Sequence, residues 1–300
     1  MSITISTPVT TTPCQFIKPD GPILLMGSCF SDAVGLRMET CGLPTLRNPF
    51  GVLYNPHAIA TALEYSLTGR PLDESLLVHH DGLWHSWLHH TTYSTVSREA
   101  CLDQCQAQID LTHTFLQQCS TIVVTWGTAY AYYLIADPPD GYKRETPLLV
   151  ANCHKVPARF FNRERLDIEA IVAQWLTLTE QLLAFPAHPH LIFTVSPIRH
   201  MADSAHGNQL SKATLLLAME RLLGQLPASR CHYFPAYEIV MDELRDYRYY
   251  ARDLVHPSDL AADIIWQRFQ ETFMNADTQE YCLQEAKKYR QSLHRPINKA

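Results

Sequence analysis

The sequence contains a short segment, Gly27-Ser28-Cys29-Phe30-Ser31, whose small polar side chains could act as nucleophiles. It follows an apolar run and precedes an amphipathic stretch, so it is predicted to form a strand-to-helix turn. Backbone N–H groups in the first turn of a helix have no partner inside the helix and stabilise an anion. We therefore expect the pKa of the Cys29 thiol to be lowered here. In the alternative interpretation, Ser28 or Ser31 only caps the helix and Cys29 is a small core residue.

A second segment, Asp253-Leu254-Val255-His256, places a carboxylate and an imidazole three residues apart near the end of the chain. In a tight turn, the aspartate can fix the tautomer of the histidine and stabilise the imidazolium that forms during catalysis. The next helix is predicted to begin at once, which would hold His256 at the edge of a rigid element. The alternative is a surface Asp–His pair beside a helix start. Together, the two segments supply a nucleophile, a base and an orienting acid.

Five histidines between residues 79 and 90 form a dense group of candidate metal ligands. His85 and His89 are four apart, and that spacing lets two imidazoles share a metal on one face of a helix. The segment around them has no clear carboxylate or cysteine partner and fits a loop better than a helix. We therefore predict that these aromatic residues line a pocket, and we expect no metal and no cofactor. A metal-dependent enzyme remains the alternative.

Composition and charge narrow the class of protein. The chain has 300 residues, of which 46% are hydrophobic and 18% charged, and this favours an ordered globule. The formal net charge of -6 comes without a basic run, so nucleic acid is not expected as a partner. The length allows one large α/β domain with insertions or two small domains, and we predict a single domain with a core over about 21–273 and a helical extension over 274–300.

Cysteine usage and the apolar runs predict the compartment. The nine cysteines are odd in number, scattered and without a CxxC pair, which argues against a disulfide framework and fits a reducing environment. The first residues show no signal peptide, and the apolar runs are shorter than a membrane span. We therefore expect a cytoplasmic protein with no membrane partner. The sequence does not indicate an oligomeric state.

Apolar runs alternate with amphipathic stretches along the chain. The runs predict buried strands of a parallel sheet at 22–26, 121–126, 191–195 and 231–234. The stretches predict helices at 31–40, 56–67, 99–119, 166–183, 210–226 and 259–273. This alternation predicts a three-layer α/β/α sandwich with a doubly wound, mostly parallel sheet. Residues 73–95 are predicted to form an inserted loop or hairpin, and 278–295 a polar helix on the outside.

In such a sheet, ligands bind at the carboxyl ends of the strands. That rule selects residues 27–31, 127–130, 196–200 and 235–238 as the candidate site. These ranges include Thr128, Arg199 and His200. An arginine there can clamp a carboxylate or a phosphate, whereas the alternative is a structural ion pair with Asp246 or Glu243.

Taken together, these segments resemble the GSCFA family, a bacterial group placed among the SGNH or GDSL-like hydrolases, which share a flavodoxin-like α/β fold. The resemblance runs from about residue 21 to about residue 273. The blocks that carry it, besides the two catalytic segments, are Asn48–Pro56, Trp126–Ala129, Asn152–Lys155, Ser196–His200 and Glu243–Arg248. It implies a hydrolase or acyltransferase acting on an ester or acyl group of a small molecule or a carbohydrate.

The resemblance also implies a role for each catalytic residue. SGNH enzymes carry a Gly-Asp-Ser turn in which the serine attacks. Matching Gly27 to that glycine places Cys29 at the nucleophile position, while a shift of one residue would select Ser28. His256 then acts as general base and Asp253 orients it.

The oxyanion hole of SGNH enzymes uses the N–H of the nucleophile, a glycine and an asparagine. Cys29 and Gly51 match the first two, but Ala129 stands where the asparagine is expected. Asn152 or Asn48 would have to supply an amide from another loop. Loss of one donor costs about a hundredfold or more in rate, so a non-catalytic module that binds a glycan or a small acid is the second hypothesis. The predicted substrate-binding residues are Asn48, Trp84, His85, Thr128, His154, Arg199 and His200.

Overall fold

The computed structural model describes residues 7–138 and 143–293. Within these residues the strands are β1 (Ile23–Gly27), β2 (Thr45–Arg47), β3 (Leu77–His80), β4 (Leu83–Ser86), β5 (Thr121–Trp126), β6 (Tyr130–Leu134), β7 (Leu148–Val150), β8 (Phe161–Arg165), β9 (His190–Val195) and β10 (Cys231–Tyr233). The helices are α1 (Cys29–Thr40), α2 (Pro56–Thr68), α3 (Arg98–Leu116), α4 (Ile168–Leu183), α5 (Ser204–Leu223), the single turn α6 (Ala236–Glu238), α7 (Asp259–Phe273) and α8 (Ala276–Leu293).

Five parallel strands form the central sheet in the order β2-β1-β5-β9-β10. Counted along the chain, this order is 2-1-3-4-5, which occurs in doubly wound α/β sheets. Every residue of β5 is buried, because the strand has a neighbour on each side and helices on both faces. The predicted mixed α/β class with a parallel central sheet is confirmed.

Each face of the sheet has its own hydrophobic core. Leu24 and Met26 of β1 pack in a cluster with residues of α2, α3, α4 and α5. Ile23 and Leu25, which alternate with them, pack in a second cluster with residues of α1, α7 and α8. Successive side chains of a strand point to opposite faces, so an unbroken apolar run serves both cores.

Two parts of the strand pattern were not predicted. Strand β2 has only three residues, all half-buried at the edge of the sheet, so its sequence carries no apolar run. Strands β7, β6 and β8 form a separate antiparallel sheet over residues 130–165. The residues of β8 are almost all exposed, which removes the hydrophobic pattern by which a strand is recognised.

Most predicted helices are present, with shifted ends. Helix α1 begins at Cys29, two residues before the predicted start, because Ser28 caps it. Helix α5 begins at Ser204 instead of residue 210, since its first six residues include few apolar side chains. Helix α3 ends at Leu116, three residues before the predicted end.

The inserted segment over 73–95 contains the predicted hairpin. Strands β3 and β4 are antiparallel and are joined by Asp81 and Gly82. Both residues have a left-handed backbone, with φ of 51° and 75°, as two-residue hairpin turns require.

The C-terminal helix α8 covers most of the predicted range 278–295, and residues 294–295 lie outside the described residues. It is not polar on all sides. Thr278 donates a hydrogen bond to the Ile17 carbonyl over 3.3 Å, and Cys282 is fully buried. In the described part of the chain, no helix combines the length and the apolar character needed to cross a membrane.

Candidate functional site

The turn between β1 and α1 is held from both sides. Gly27 has a φ of 146°, and a Cβ there would lie 2.3 Å from the Thr125 carbonyl oxygen, so no side chain fits. Its N–H donates to Asn48 Oδ1 over 2.9 Å, and Asn48 Nδ2 donates to Asp32 Oδ1 over 2.9 Å. The predicted substrate-binding residue Asn48 therefore fixes the backbone of the turn.

Ser28 and Cys29 have different positions in this turn. Ser28 is 1% exposed, and its Oγ accepts the N–H of Phe30 over 3.3 Å as the N-cap of α1. Cys29 is the first residue of the helix and is half-buried. Ser28 therefore caps the helix, as the alternative interpretation predicted, while the side chain of Cys29 lies at the surface of a cleft.

The second catalytic segment forms a compact turn around Asp253. The carboxylate accepts the N–H groups of Val255 and His256 over 2.9 and 3.0 Å, and its other oxygen lies 2.6 Å from His256 Nδ1. These bonds, chiefly the two from the backbone, lower the pKa of Asp253 to about 2. Because the carboxylate can only accept, the proton of the neutral imidazole lies on Nδ1 and Nε2 is left as a base.

The two segments meet although 227 residues separate them. Cys29 Sγ lies 3.7 Å from His256 Nε2, within the distance of a hydrogen bond to sulfur. Of the two candidate nucleophiles, Cys29 is therefore the one that faces His256.

The pKa of the Cys29 thiol is raised from its ordinary value, mainly by burial. The N–H groups of Cys29 and Phe30 act in the opposite direction but do not outweigh burial. The expected lowering was wrong, because desolvation of the half-buried sulfur disfavours the thiolate more than the helix N–H groups stabilise it. At neutral pH, the sulfur keeps its proton until a base removes it.

A cleft of about 480 Å³ opens beside these residues at the carboxyl ends of the central strands. This is the edge of the sheet that the topology rule selects. Of the residues predicted for the site, the cleft contains Cys29, Thr128, Arg199, His200 and His256. Tyr130 of the predicted range 127–130 also lines it, and the wall is completed by residues outside the predicted ranges, among them Tyr54, Asn55, Tyr132, Arg163 and Asp203.

Two predicted oxyanion donors lie elsewhere. The N–H of Gly51 donates to the Asn48 carbonyl over 2.7 Å, and a Cβ on Gly51 would strike His90. Asn152 accepts the N–H of His154 over 2.9 Å in its own loop. Neither residue lines the cleft, so the structure does not bring them to Cys29.

Histidines of the histidine-rich segment form hydrogen bonds and stacking contacts within the protein. His85 lies 2.6 Å from Ser94 Oγ and stacks on His154 with ring centroids 4.5 Å apart. The Nε2 of His154 lies 2.8 Å from the Ser86 carbonyl. Burial lowers the pKa of His154 to about 4, so this imidazole is neutral. Trp84, His85 and His154 are absent from the cleft wall, which corrects their predicted place in it.

Metal-ligating side chains are dispersed in the described residues. Over 7–138 and 143–293, no three His, Cys, Asp or Glu side chains lie close enough together to hold a metal ion. All nine cysteines are free thiols.

Asn55 is a cleft residue that the sequence analysis did not single out. Its Oδ1 accepts the N–H of Ala58 over 2.8 Å as the N-cap of α2, and its Nδ2 has no hydrogen-bond partner among the described residues. The Tyr54 carbonyl accepts the N–H groups of Gly127 and Thr128 over 2.8 and 2.9 Å. Those bonds bring Asn55 beside the loop where the third-block asparagine was expected. An Asn directly before Pro56 is a helix-start signal, and it could have indicated this placement.

Two cationic side chains lie in and under the cleft. Arg199 contacts the Met241 sulfur through Nη2 at 3.4 Å, and its buried Nε has no partner in the described part of the chain. Lys212 is 1% exposed and donates to the carbonyls of Gly127 and Ser196, each over 2.6 Å. Burial lowers the pKa of Lys212 to about 7.

His200 is a cleft residue that packs against Tyr54. Its ring meets the Tyr54 ring edge-on, with centroids 5.5 Å apart. Burial, and then the charge of Lys212, lower the pKa of His200 to about 4, so this imidazole is neutral.

Residues 22–269 match the sequence profile of the GSCFA family. No curated protein matches the chain.

Proposed function

Since the match covers most of its length, the chain belongs to the GSCFA family, and we propose that it is a thiol-dependent acyl hydrolase or acyltransferase. We further propose an SGNH-like three-layer architecture. The strand order 2-1-3-4-5 and the separate cores on the two faces of the sheet support it.

The observation that carries this proposal is the chain of contacts from Asp253 through His256 to Cys29. Its two links are 2.6 and 3.7 Å long and end at the wall of the cleft. A nucleophile in reach of a base, with the base oriented by a third group, is the arrangement that nucleophilic catalysis requires.

The reaction begins when His256 Nε2 takes the proton of Cys29 while the sulfur attacks the acyl carbon. The C–S bond forms and the carbonyl electron pair moves to the oxygen. When the carbonyl re-forms, the bond to the leaving oxygen breaks and the imidazolium returns the proton to that oxygen. Water or an acceptor hydroxyl then attacks the thioester, again with His256 as base, and the thiol is regenerated.

Two N–H donors are available for the tetrahedral oxyanion. The backbone N–H of Cys29 is the first of α1 and lies outside the helical bonding pattern. Asn55 lines the same cleft, and its Nδ2 has no hydrogen-bond partner in the described residues. We assign Asn55 the part that the third-block asparagine plays in the SGNH pattern.

The test is turnover of short-chain p-nitrophenyl esters and the corresponding thioesters. Cys29→Ala and His256→Gln should each lose at least about a thousandfold in kcat/KM. Cys153→Ala is the matched control, because Cys153 is also a partly exposed free thiol but lies outside the cleft wall. Full activity in both Cys29→Ala and His256→Gln would exclude the proposed chemistry.

A binding module without turnover is the second candidate. The raised pKa of Cys29 favours it, since a protonated thiol is a poor nucleophile without its base. Iodoacetamide labelling separates the two functions. Labelling of Cys29 that depends on His256 supports catalysis, whereas a thiol that reacts no faster than Cys153 supports binding alone. The cytoplasmic location and the absence of a nucleic-acid partner stay predictions from the sequence.

A further inference from the structure

Arg199 does not form the structural ion pair with Asp246 or Glu243 that was the alternative to ligand binding. Asp246 pairs with Arg248 over 2.9 Å, and Glu243 lies 3.6 Å from Arg268. In the described residues, no carboxylate lies within ion-pair distance of the Arg199 guanidinium. Its one hydrogen bond within residues 7–138 and 143–293 goes to the Met241 sulfur, which is a weak acceptor.

The other charges of the cleft are matched. Arg163 pairs with Asp203, whose side chain is 2% exposed, and Asp253 is bound to His256. His200 is neutral because its pKa is lowered to about 4. Arg199 is thus the charge of the cleft wall that has no counter-charge in the described residues.

Lys212 lies beneath the floor, and because burial lowers its pKa to about 7, only part of its population is charged at neutral pH. Its ammonium is held by the carbonyls that follow β5 and β9, and no carboxylate contacts it in the described residues. Arg199 is half-buried, and a partly buried cation without a counter-ion is unfavourable, because protein replaces the water that would solvate it. A bound anion would remove that cost.

We infer that the acyl substrate carries an anionic group, a carboxylate or a phosphate, which the guanidinium of Arg199 binds in the cleft. The planar fork of an arginine matches two oxygens of either group, and the only hydrogen bond of the Arg199 guanidinium among the described residues is the weak one from Nη2 to sulfur. The inference rests on the proposed function in one respect only, that the ligand of this cleft is the substrate.

Binding is measured first, in the Cys29→Ala protein, so that turnover plays no part. Succinate and inorganic phosphate are titrated by calorimetry, and neutral succinamide is the comparison. Succinate should bind at least about tenfold more tightly than succinamide, and Arg199→Gln should remove that difference. If succinate and succinamide bind equally to the Cys29→Ala protein, in which Arg199 is intact, the inference is wrong.

Two variants locate the anion. Arg221→Gln removes the same charge at an exposed ion pair with Glu169 and should leave binding unchanged. Arg245 lines a neighbouring depression that also contacts Arg199. If Arg245→Gln weakens succinate as much as Arg199→Gln does, the anion lies in that depression, and the assignment to the cleft is wrong.

Turnover then separates this inference from the proposed function. Wild-type protein should cleave the mono-p-nitrophenyl ester of succinic acid about tenfold better in kcat/KM than p-nitrophenyl butyrate. Arg199→Gln should abolish that preference, so that the two esters have similar kcat/KM values, whereas the exposed Arg221→Gln should keep both rates. If neither ester turns over while Arg199-dependent binding persists, the proposed function fails and the anion site stands. If both esters turn over equally in wild type, the anion site fails and the proposed function stands.

Discussion

Asp253 controls the orientation of His256 through bonds that form almost entirely within one turn. Two of its three bonds come from the backbone, and the left-handed Leu254, with a φ of 58°, makes the turn possible. A spacing of three residues was enough to predict this pair from the sequence. The approach of Cys29 was inferred from a resemblance, because it depends on two loops that only the folded sheet brings together.

Replacing Asp253 by Asn should lower kcat on the order of a thousandfold or more, because an amide no longer fixes the proton on Nδ1. The pKa of Asp253 is about 2, so the loss should be the same at every pH above about 4. Asp246→Asn is the control, since Asp246 is an exposed carboxylate whose pKa is also about 2. Steady-state kinetics from pH 5 to pH 9 measure the effect. A loss that vanished at high pH would contradict the orienting role.

Asn55 allows its two functions to be separated. Asn55→Ser keeps an oxygen that can cap α2 but removes the amide donor, so kcat should fall about a hundredfold while the melting temperature changes little. Asn55→Ala should show the same kinetic loss and also lose about 1 kcal/mol of stability. Kinetics and thermal unfolding of the same samples distinguish the capping role of Asn55 from its role as an oxyanion donor. Wild-type kcat in Asn55→Ser would remove this residue from the oxyanion site.

The elements differ in how well the sequence predicted them. Strands β1, β5 and β9 are continuous apolar runs buried on both faces, so pattern and structure agree. Strand β2 is three half-buried residues at an edge, and the exposed β8 has no apolar run. Such strands are held by pairing with a neighbour, and pairing leaves no local signal in the sequence.

The turn between β1 and α1 should not tolerate a side chain at Gly27. Gly27→Ala should cost more than about 3 kcal/mol, because the backbone strain adds to a contact of 2.3 Å with the Thr125 oxygen. Gly82→Ala is the matched control, since Gly82 also has a positive φ but no atom within 4 Å of the added Cβ. It should cost only about 1–2 kcal/mol. Urea unfolding of both variants measures the difference, and equal costs would show that strain alone determines them.

The cleft as a whole is assembled from segments that are far apart in the chain. Cys29, Thr128 and Arg199 were predicted because each follows an apolar strand, and His256 because it belongs to a motif. Asn55 and Lys212 were not, since their roles arise from contacts with Gly127 and its neighbours across the sheet edge. Sequence patterns identify strand ends, but they do not show which distant side chains fill the space between them.

Lys212 links α5 to the ends of β5 and β9, and its titration should affect the stability of the whole molecule. The pKa is about 7 in the folded protein and about 10.5 in the unfolded chain. Between these values the unfolded state binds more protons, so the contribution of Lys212 to stability rises with pH. Below about pH 7, both states carry the charge and the full burial cost remains.

Urea unfolding at pH 6, 8 and 10 tests this effect against Lys212→Met. The free energy of unfolding of wild type, minus that of the variant, should increase with pH by up to about 1.4 kcal/mol per unit within that window. Other titrating groups are common to both proteins and cancel in the difference. A difference that is constant with pH would show that Lys212 is not neutralised by burial.

The close approach of Gly27 to Thr125 also has a consequence for how such sequences diverge. Space excludes every side chain at position 27, whatever reaction the protein performs. Position 29 has no such restriction, because its half-buried side chain faces a cleft. A descendant that kept the glycine and replaced the cysteine would retain the architecture and lose the chemistry. The residue at position 29 would therefore distinguish relatives that keep the reactive thiol from relatives that share only the fold.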